Sequence, residues 1–246
     1  MTVEKLKRKI SEIRQRISPV LTLAEPAPEH YSAFMEAGRK IRDYLQDETI
    51  DDPVGKRETE GFIFCESGME KLTPEQFERE VVKACADRRL PEKQRPVCPT
   101  NPQRKIYPEF FYFVMDGDKI AGIVSASPKI LSDDDRRHKA RRYRPWSSLA
   151  EGKGCGVVTS ALLLPEYRGR GLIAMVKEQF FEKLSHDYGV KEVMATVLPD
   201  NGRSNGAQEN LRRKYPGSRA YQTKVYFAPA GEMPVNRYLI PLPSRR

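Results

Sequence analysis

One segment of the chain joins an apolar strand, a glycine-containing turn and an amphipathic helix with almost nothing between them. The run from Val157 to Leu164 predicts a strand, and apolar residues at helical spacing predict a helix from Leu172 to about Tyr188. The turn between them carries glycines at 169 and 171. Glycine lets the backbone pass close to a bulky group, and the first amides of a helix have no partner inside it. With the helix dipole, these features predict an anion site suited to a pyrophosphate.

Two other phosphate-binding motifs do not fit this turn. A P-loop requires Gly-x4-Gly-Lys-Ser/Thr, and a dinucleotide-binding fold requires Gly-x-Gly-x-x-Gly near the start of a βαβ unit. Residues 165–175 contain neither pattern. The dipeptides Arg-Gly-Arg-Gly alone would also suit a solvated turn or an RNA-binding segment. The flanking strand and helix therefore carry the argument.

The predicted strand is followed by Pro-Glu-Tyr-Arg-Gly-x-Gly and then by the predicted helix. This order resembles the acyl-CoA-binding signature of the GNAT N-acetyltransferase superfamily, Arg/Gln-x-x-Gly-x-Gly/Ala. Arg168 and Gly171 stand at its first two defined positions, whereas Ile173 stands where the family usually has Gly or Ala. The resemblance implies an acyl-CoA donor, acetyl-CoA or a close relative. Its diphosphate is expected to bind at Arg168, Gly169, Arg170, Gly171, Leu172, Ile173 and Ala174.

Length and composition set the class of protein. A chain of 246 residues with 39% hydrophobic and 31% charged residues can hold one sizeable α/β domain. No apolar run approaches a membrane span, and residues 1–19 do not read as a signal peptide, so we expect a soluble, cytoplasmic protein. The four cysteines form no CxxC pair and the three histidines are isolated, so neither a metal site nor a disulfide framework is expected. The net charge of +9 favours acidic partners, such as the phosphates of CoA or nucleic acid.

The first half of the chain predicts mostly helices. Residues 1–18 are expected to form an N-terminal helical arm, which would pack back on the domain or serve as a dimer or nucleic-acid contact. Thr73 and Gln76 form a capping box at the start of a later helix. The predicted elements are a helix over 3–17, a strand over 20–23, a helix over 28–44, a loop over 47–59, a strand over 61–65 and a helix over 74–89.

The second half predicts mostly strands. The Asp-Gly-Asp turn at 116–118 predicts a hairpin, and a charge-rich insertion follows at about 128–153. The predicted elements are strands over 110–115, 119–125, 157–164, 191–198, 220–227 and 237–242, with helices over 172–188 and 204–215.

This order resembles the GNAT layout over residues 20–242. The resemblance implies an α/β (α+β) domain over 19–246, with a mixed central sheet flanked by helices. The helix after the turn is a crossover, so the strands that end at Leu164 and Leu198 are expected to run parallel. In the family these two strands splay apart, and the pantetheine arm lies in the gap.

The resemblance also implies roles for particular residues. The backbone of Leu162, Leu163 and Leu164 would contact the pantetheine and the thioester, and the amide of Leu163 or Leu164 would stabilise the oxyanion. Asn201 and Asn205 would bind the pantetheine or diphosphate, although both are also ordinary turn residues. Tyr215 is the candidate general acid, because Arg212 stands where the family commonly has tyrosine. The general base stays open among Glu109, Asp133 to Asp135 and a water chain.

These expectations describe an acyltransferase that moves an acetyl group from acyl-CoA to an amine by direct transfer, without a covalent intermediate or a metal. A small-molecule amine is the favoured acceptor. A transferase directed at tRNA or another nucleic acid is the alternative suggested by the basic insertion and C-terminal tail. A third possibility is a CoA-binding module without turnover. The oligomeric state is left open, with a dimer among the options.

Overall fold

The structure is a computed structural model, and it describes residues 19–60, 71–87, 110–128, 156–227 and 231–243. The predicted helix over 3–17, the predicted strand over 61–65 and all but the first residue of the charged insertion at 128–153 lie outside the described residues. So do the candidate bases Glu109 and Asp133 to Asp135.

The described strands form one mixed sheet with the order β1-β2-β3-β4-β5-β7-β6. Every strand predicted within the described residues is present, and the last one begins at Gly231 rather than Arg237. The mixed α/β architecture is therefore confirmed. The strands are β1 (Leu21–Ala24), β2 (Phe110–Asp116), β3 (Lys119–Pro128), β4 (Gly156–Leu163), β5 (Glu192–Val197), β6 (Arg219–Phe227) and β7 (Gly231–Pro241).

The helices flank this sheet. The predicted capping box is confirmed. The backbone N–H of Gln76 donates to Thr73 Oγ1, and the backbone N–H of Thr73 donates to Gln76 Oε1. The helices are α1 (Tyr31–Gln46), α2 (Pro53–Glu60), α3 (α-helix over Pro74–Phe77, π-helix over Glu78–Lys83, α-helix over Ala84–Asp87), α4 (Leu172–Tyr188) and α5 (Gly202–Lys214).

The prediction of a loop over 47–59 was wrong in its second half, where α2 forms. Asp52 accepts a hydrogen bond from the Gly55 amide at 3.0 Å, in the manner of a helix N-cap, and Pro53 occupies the first helical position. Arg57 then pairs with Asp200, 2.9 Å away and far along the chain. Because α2 is short and polar, these local and tertiary contacts, rather than an apolar stripe, determine its structure.

Aromatic contacts define which helices cover which face of the sheet. On one face, Phe34 of α1 lies 6.0 Å from Phe113 of β2 and 5.0 Å from Phe77 of α3, measured between ring centroids. On the other face, Tyr112 of β2 lies 5.8 Å from Phe180 of α4. Residues 112 and 113 point to opposite faces because side chains alternate along a strand. The sheet is thus enclosed between α1 and α3 on one side and α4 on the other.

The strand β4 has two different neighbours. It pairs with antiparallel β3 from Val157, opposite Pro128, to Leu163, opposite Gly122. It pairs with parallel β5 only from Gly156 to Val158. The predicted parallel pair is therefore confirmed, and from Thr159 onwards the two strands separate and leave a gap.

Candidate functional site

The turn after β4 has the backbone conformation that its glycines allow. Gly169 and Gly171 have φ angles of 73° and 75°, in the left-handed region. Gly171 is the N-cap residue of α4, and it has no side chain to cap the first amides of that helix. A Cβ at either glycine would meet no atom within 4 Å, so it is the backbone angle and not crowding that favours glycine here. The first turn of α4 is left able to bind an anion.

Arg168 is directed into the protein rather than along the turn. Its Nε donates to the Leu163 carbonyl at 2.8 Å, and its two terminal nitrogens donate to the Tyr44 hydroxyl at 3.1 Å and to Thr59 Oγ1 at 2.8 Å. The guanidinium carbon lies 4.9 Å from the centre of the Tyr44 ring. Arg168 therefore joins the turn to α1 and α2, a role that the sequence signature did not indicate. Its contact with a cofactor stays a prediction.

A first pocket, of about 110 Å³, lies between this turn, the end of β4, α4 and the start of α5. It brings together many residues that the sequence singled out: Leu162, Leu163, Arg168, Gly169, Gly171, Leu172 and Ile173. Lys177 and Arg203 also line it, and the described lining residues include no carboxylate. Leu164, Arg170, Ala174, Asn201, Asn205 and Tyr215 are not among its described lining residues. The described lining therefore includes cationic side chains, of which Arg203 also pairs with Asp52 outside the lining.

The backbone of β4 distinguishes between the two candidate oxyanion donors. The Leu164 amide donates to the Ala121 carbonyl at 2.8 Å, so it is already occupied and that alternative is corrected. Along a strand paired on one side, successive N–H groups point alternately to the two neighbours. Because Leu164 points to β3, the amides of Leu163 and Ala161 point to the gap beside β5. Ala161 was not predicted, because only the β3–β4 register identifies it.

A second pocket, of about 160 Å³, lies between the separating strands. It shares Ala161, Lys177 and Ser204 with the first pocket, so the two are contiguous. Gln208 is 1% exposed and Thr159 is 5% exposed. Neither the two amide atoms of Gln208 nor the Thr159 hydroxyl has a hydrogen-bond partner among the described residues. Neither side chain is predicted from the sequence, because nothing local distinguishes it from an ordinary packed residue.

Asn201 and Asn205 hold the chain that follows β5. Asn201 Oδ1 accepts from the Ser204 amide at 3.0 Å and thereby caps α5. Asn205 Nδ2 donates to the carbonyls of Leu198 and Asn201, both at 2.9 Å. Its Oδ1 accepts from Asn236 at 2.8 Å and from Tyr238 at 3.0 Å. Protein groups thus occupy the whole Asn205 amide, and cofactor binding by the two asparagines stays a prediction.

Tyr215 lies at the far end of α5 from the pockets. Its ring makes an edge-to-face contact with Phe181 of α4 at 6.0 Å. Burial, and then the nearby carboxylates of Glu178 and Glu182, raise the pKa of its hydroxyl. The described residues that line the two pockets do not include it. The structure therefore separates the predicted general acid from the predicted cofactor turn.

Two ion pairs connect α2 to the start of α5. Asp52 pairs with Arg203 and also accepts from the Tyr44 hydroxyl at 3.0 Å, while Arg57 pairs with Asp200 at 2.9 Å. Burial raises the pKa of Asp52, but the hydrogen bonds from Arg203, Gly55 and Tyr44 outweigh it, so that the pKa lies below its ordinary value. We name Asp52, Arg203, Arg57 and Asp200 the α2 clamp. The sequence does not predict the α2 clamp, because the partners of its two ion pairs lie 143 and 151 residues apart in the chain.

Two further properties follow from the described residues. Among them, no group of three or more His, Cys, Asp and Glu side chains could hold a metal ion. None of the helices that the structure describes is long and apolar enough to cross a membrane.

Comparison with known proteins agrees with this geometry. The model of the acetyltransferase (GNAT) family matches residues 79–209, which is more than half of the chain. Among curated proteins, none matches the chain at a significant level.

Solved structures share the fold at low sequence identity. An α-N-acetyltransferase of ribosomal protein L7/L12, RimL, in complex with coenzyme A is 12% identical, with a TM-score of 0.51 over 90% of this chain and 94% of its own. The microcin C7 self-immunity acetyltransferase MccE, in complex with acetyl-CoA and AMP, is 12% identical, with a TM-score of 0.50 over 90% and 92%. A ribosomal-protein-S5-alanine acetyltransferase from Vibrio fischeri is 14% identical, with a TM-score of 0.50 over 90% and 92%.

Proposed function

The chain belongs to the GNAT family of acetyltransferases, and from that premise we propose that it transfers an acetyl group from acetyl-CoA directly to an amine. The observation that carries the proposal is the separation of β4 from β5 beyond Val158, beside a turn that leads into the open N-terminus of α4. An acyl-CoA is elongated, with a diphosphate towards one end and the acyl group at the other. The anion site at the turn suits the diphosphate, and the gap between the strands suits the pantetheine and the acyl group. RimL and MccE, whose structures contain coenzyme A and acetyl-CoA respectively, share this fold.

In this proposal, the diphosphate binds at Gly169 to Ala174 and the pantetheine lies along β4 at Leu162 to Leu164. The amides at the start of α4 donate to the phosphates, and Lys177 and Arg203 line the same pocket. Arg168 holds the turn in position, because its side chain donates hydrogen bonds to the Leu163 carbonyl and to residues of α1 and α2. Asn201 and Asn205 are assigned to the pantetheine or diphosphate from the start of α5, although neither is among the described residues that line the two pockets.

The reaction is a direct transfer in a ternary complex. The neutral amine attacks the thioester carbon, a carbon–nitrogen bond forms, and the carbon–sulfur bond breaks to release the CoA thiolate. The amide of Leu163 or Ala161 donates to the oxyanion that forms between these steps, and such a donor contributes about 3–4 kcal/mol. A lysine-like amine has a pKa near 10, so its proton must first be removed. The base stays open among Glu109, Asp133 to Asp135 and a water chain, because those four acids lie outside the described residues and the described lining residues of the two pockets carry no carboxylate.

The acceptor belongs to the class of amines, and a small molecule is the favoured form. Two of the structures with a similar fold are acetyltransferases of ribosomal proteins, so protein N-termini are also tested as acceptors. A panel of polyamines, amino compounds, protein N-termini and tRNA, assayed by release of CoA thiol, distinguishes these acceptors.

Binding is tested first, by the melting temperature with and without acetyl-CoA. A ligand that binds only the folded state stabilises it by about 3 kcal/mol at one hundred times its Kd. Gly171→Glu places a negative charge and a side chain at the phosphate turn, so we expect this stabilisation to disappear. Gly117→Glu is the matched control, because Gly117 also has a positive φ, 61°, but lies in the β2–β3 hairpin turn.

Three outcomes separate the alternatives. Loss of the shift in Gly171→Glu but not in Gly117→Glu supports the proposed diphosphate site. No shift of the native protein at millimolar acetyl-CoA contradicts the proposal. A shift without thiol release from any acceptor in the panel identifies a CoA-binding module without turnover.

Tyr215 stays the predicted general acid of the proposal, because its hydroxyl, like that of any tyrosine, is protonated at neutral pH and can donate a proton to the leaving thiolate. Burial, and then Glu178 and Glu182, raise the pKa of this hydroxyl, which makes it a weaker proton donor than an ordinary tyrosine. Its position argues against this role, because it stands seven positions after Gln208 in the chain, about 10 Å along a helix. Tyr215→Phe should lower kcat by about 10²-fold or more without changing acetyl-CoA affinity. Unchanged turnover would remove Tyr215 from the mechanism.

A further inference from the structure

The second pocket contains buried hydrogen-bonding groups that the described protein does not satisfy. Gln208 offers two donor hydrogens and a carbonyl oxygen, and Thr159 offers a hydroxyl, yet both side chains are at least nine-tenths buried. Buried polar groups almost always have a partner, since leaving one without a hydrogen bond costs free energy. Three unpartnered atoms on two side chains that line one cavity therefore indicate a ligand with polar atoms.

The position of this pocket identifies which part of the donor reaches it. The first pocket begins at the phosphate turn, and the second continues it through Ala161, Lys177 and Ser204. From Leu163 to Thr159 the strand advances about 13 Å. A donor that binds with its diphosphate at the turn and its pantetheine along β4 therefore directs its opposite end, the acyl group, towards Thr159 and Gln208.

The unpartnered polar atoms of the lining favour one kind of acyl group. A hydrocarbon chain in this cavity would leave the polar atoms of Gln208 and Thr159 without partners. A carboxylate would accept hydrogen bonds from Gln208 Nε2 and from the Thr159 hydroxyl, and so give partners to two of the three atoms.

We infer that the pocket between β4 and β5 is an acyl-selecting site, which accepts acyl groups with a terminal carboxylate, such as succinyl, in preference to apolar acyl groups of the same length. This inference rests on the proposed function, because it concerns the donor of the same reaction. Acetyl is short enough to leave most of the pocket to water. Gln208 and Thr159 are the residues that determine the selectivity.

The test compares succinyl-CoA with butyryl-CoA, which has a methyl group in place of the carboxylate. Acetyl-CoA and free CoA serve as references, and affinity is measured by the shift in melting temperature, which requires no acceptor. We expect succinyl-CoA to bind at least about tenfold more tightly than butyryl-CoA, because a site built for hydrogen bonds rejects analogues that lack them. Equal affinity, or preference for butyryl-CoA, overturns the inference even where acetyl-CoA binds. If no acyl-CoA and no free CoA binds, the proposed function fails as well.

Two substitutions then locate the selectivity. Gln208→Met and Thr159→Val keep the approximate size of the side chains but remove their hydrogen-bonding groups, and each should reduce or reverse the preference for succinyl-CoA. The melting temperature of unliganded Gln208→Met should be unchanged or higher, since the substituted amide has no described partner to lose.

Asn205→Leu is the control for stability. Asn205 is an amide on the same helix, but protein groups occupy all of it, so its substitution should lower the melting temperature. A Gln208→Met variant that loses as much stability as Asn205→Leu, or that keeps the wild-type preference, contradicts the inference.

Discussion

The two edges of β4 differ in what they contact, and the difference separates stability from function. Towards β3, the strand is paired along most of its length, up to Leu163 opposite Gly122. Towards β5, pairing stops at Val158 opposite Met194. A backbone group that lacks a strand partner must find another partner or a ligand. The paired edge therefore holds β4 in place, and the open edge presents its amides to the gap.

The side chains beside the two edges differ in the same way. Next to the paired edge, Gly122 allows β3 and β4 to approach so closely that a Cβ would lie 2.2 Å from the Leu162 carbonyl oxygen. Beside the open edge lie Thr159 and Gln208, whose polar atoms lack described partners. Asn205 then fixes the chain just beyond β5. The gap therefore lies between two regions that hydrogen bonds hold in place, namely the β3–β4 pair and the chain that follows β5.

The largest expected effect is at the paired edge. Gly122→Ala forces β3 away from β4, because the atom that it would meet belongs to the backbone and cannot rotate away. We expect a loss of about 2–3 kcal/mol in the free energy of unfolding, measured by urea denaturation. Acetyl-CoA affinity should fall too, because Leu162 and Leu163 move.

Gly206→Ala is the control for this substitution. A Cβ at Gly206 meets no atom within 4 Å, and alanine favours the helix, so stability should rise by up to about 1 kcal/mol. If Gly122→Ala is as stable as the wild type, the close approach of the two strands is not what fixes the site.

A smaller effect is expected at the α2 clamp, which crosses from α2 to α5 beside the open edge. Asp52→Asn removes the charge that pairs with Arg203, whose side chain is 58% exposed, so we expect a loss of no more than about 1 kcal/mol. The pKa of Asp52 is lowered in the folded state, so its contribution is present above the unfolded pKa and is lost as the pH falls below about 4. The difference in melting temperature between the variant and the wild type should therefore shrink between pH 7 and pH 3 and in high salt.

Asp187→Asn is a comparison for this prediction. Asp187 pairs with Lys183 on α4, in a part of the surface separate from both pockets, and hydrogen bonds from Lys183 and then His186 lower its pKa. Its substitution should change stability with a similar dependence on pH but leave the affinity for acetyl-CoA unchanged. If Asp52→Asn also leaves that affinity unchanged, the α2 clamp is a surface feature and does not help to shape the first pocket.

Local sequence determined the elements around the phosphate turn. The helix α4 begins at Leu172 and ends at Tyr188 as predicted, because Gly171 and Gly189 flank a regular apolar spacing. The capping box at Thr73 and the hairpin at 116–118 also depend on neighbours a few residues apart. Each of these signals lies within a few neighbouring residues. The sequence alone therefore predicted the turn, and the resemblance to the family could be recognised from the same residues.

Tertiary structure decided the rest of the site. The spacing of residues 157–164 predicts a strand but not where β5 leaves it, and only the register with β3 shows that Leu164 is occupied while Leu163 and Ala161 face the gap. The partners of Arg168 lie on α1 and α2, more than a hundred residues earlier in the chain. Gln208 is an ordinary helical residue until packing buries it without a partner. These properties depend on groups far apart in the chain, and no local pattern records which of them meet.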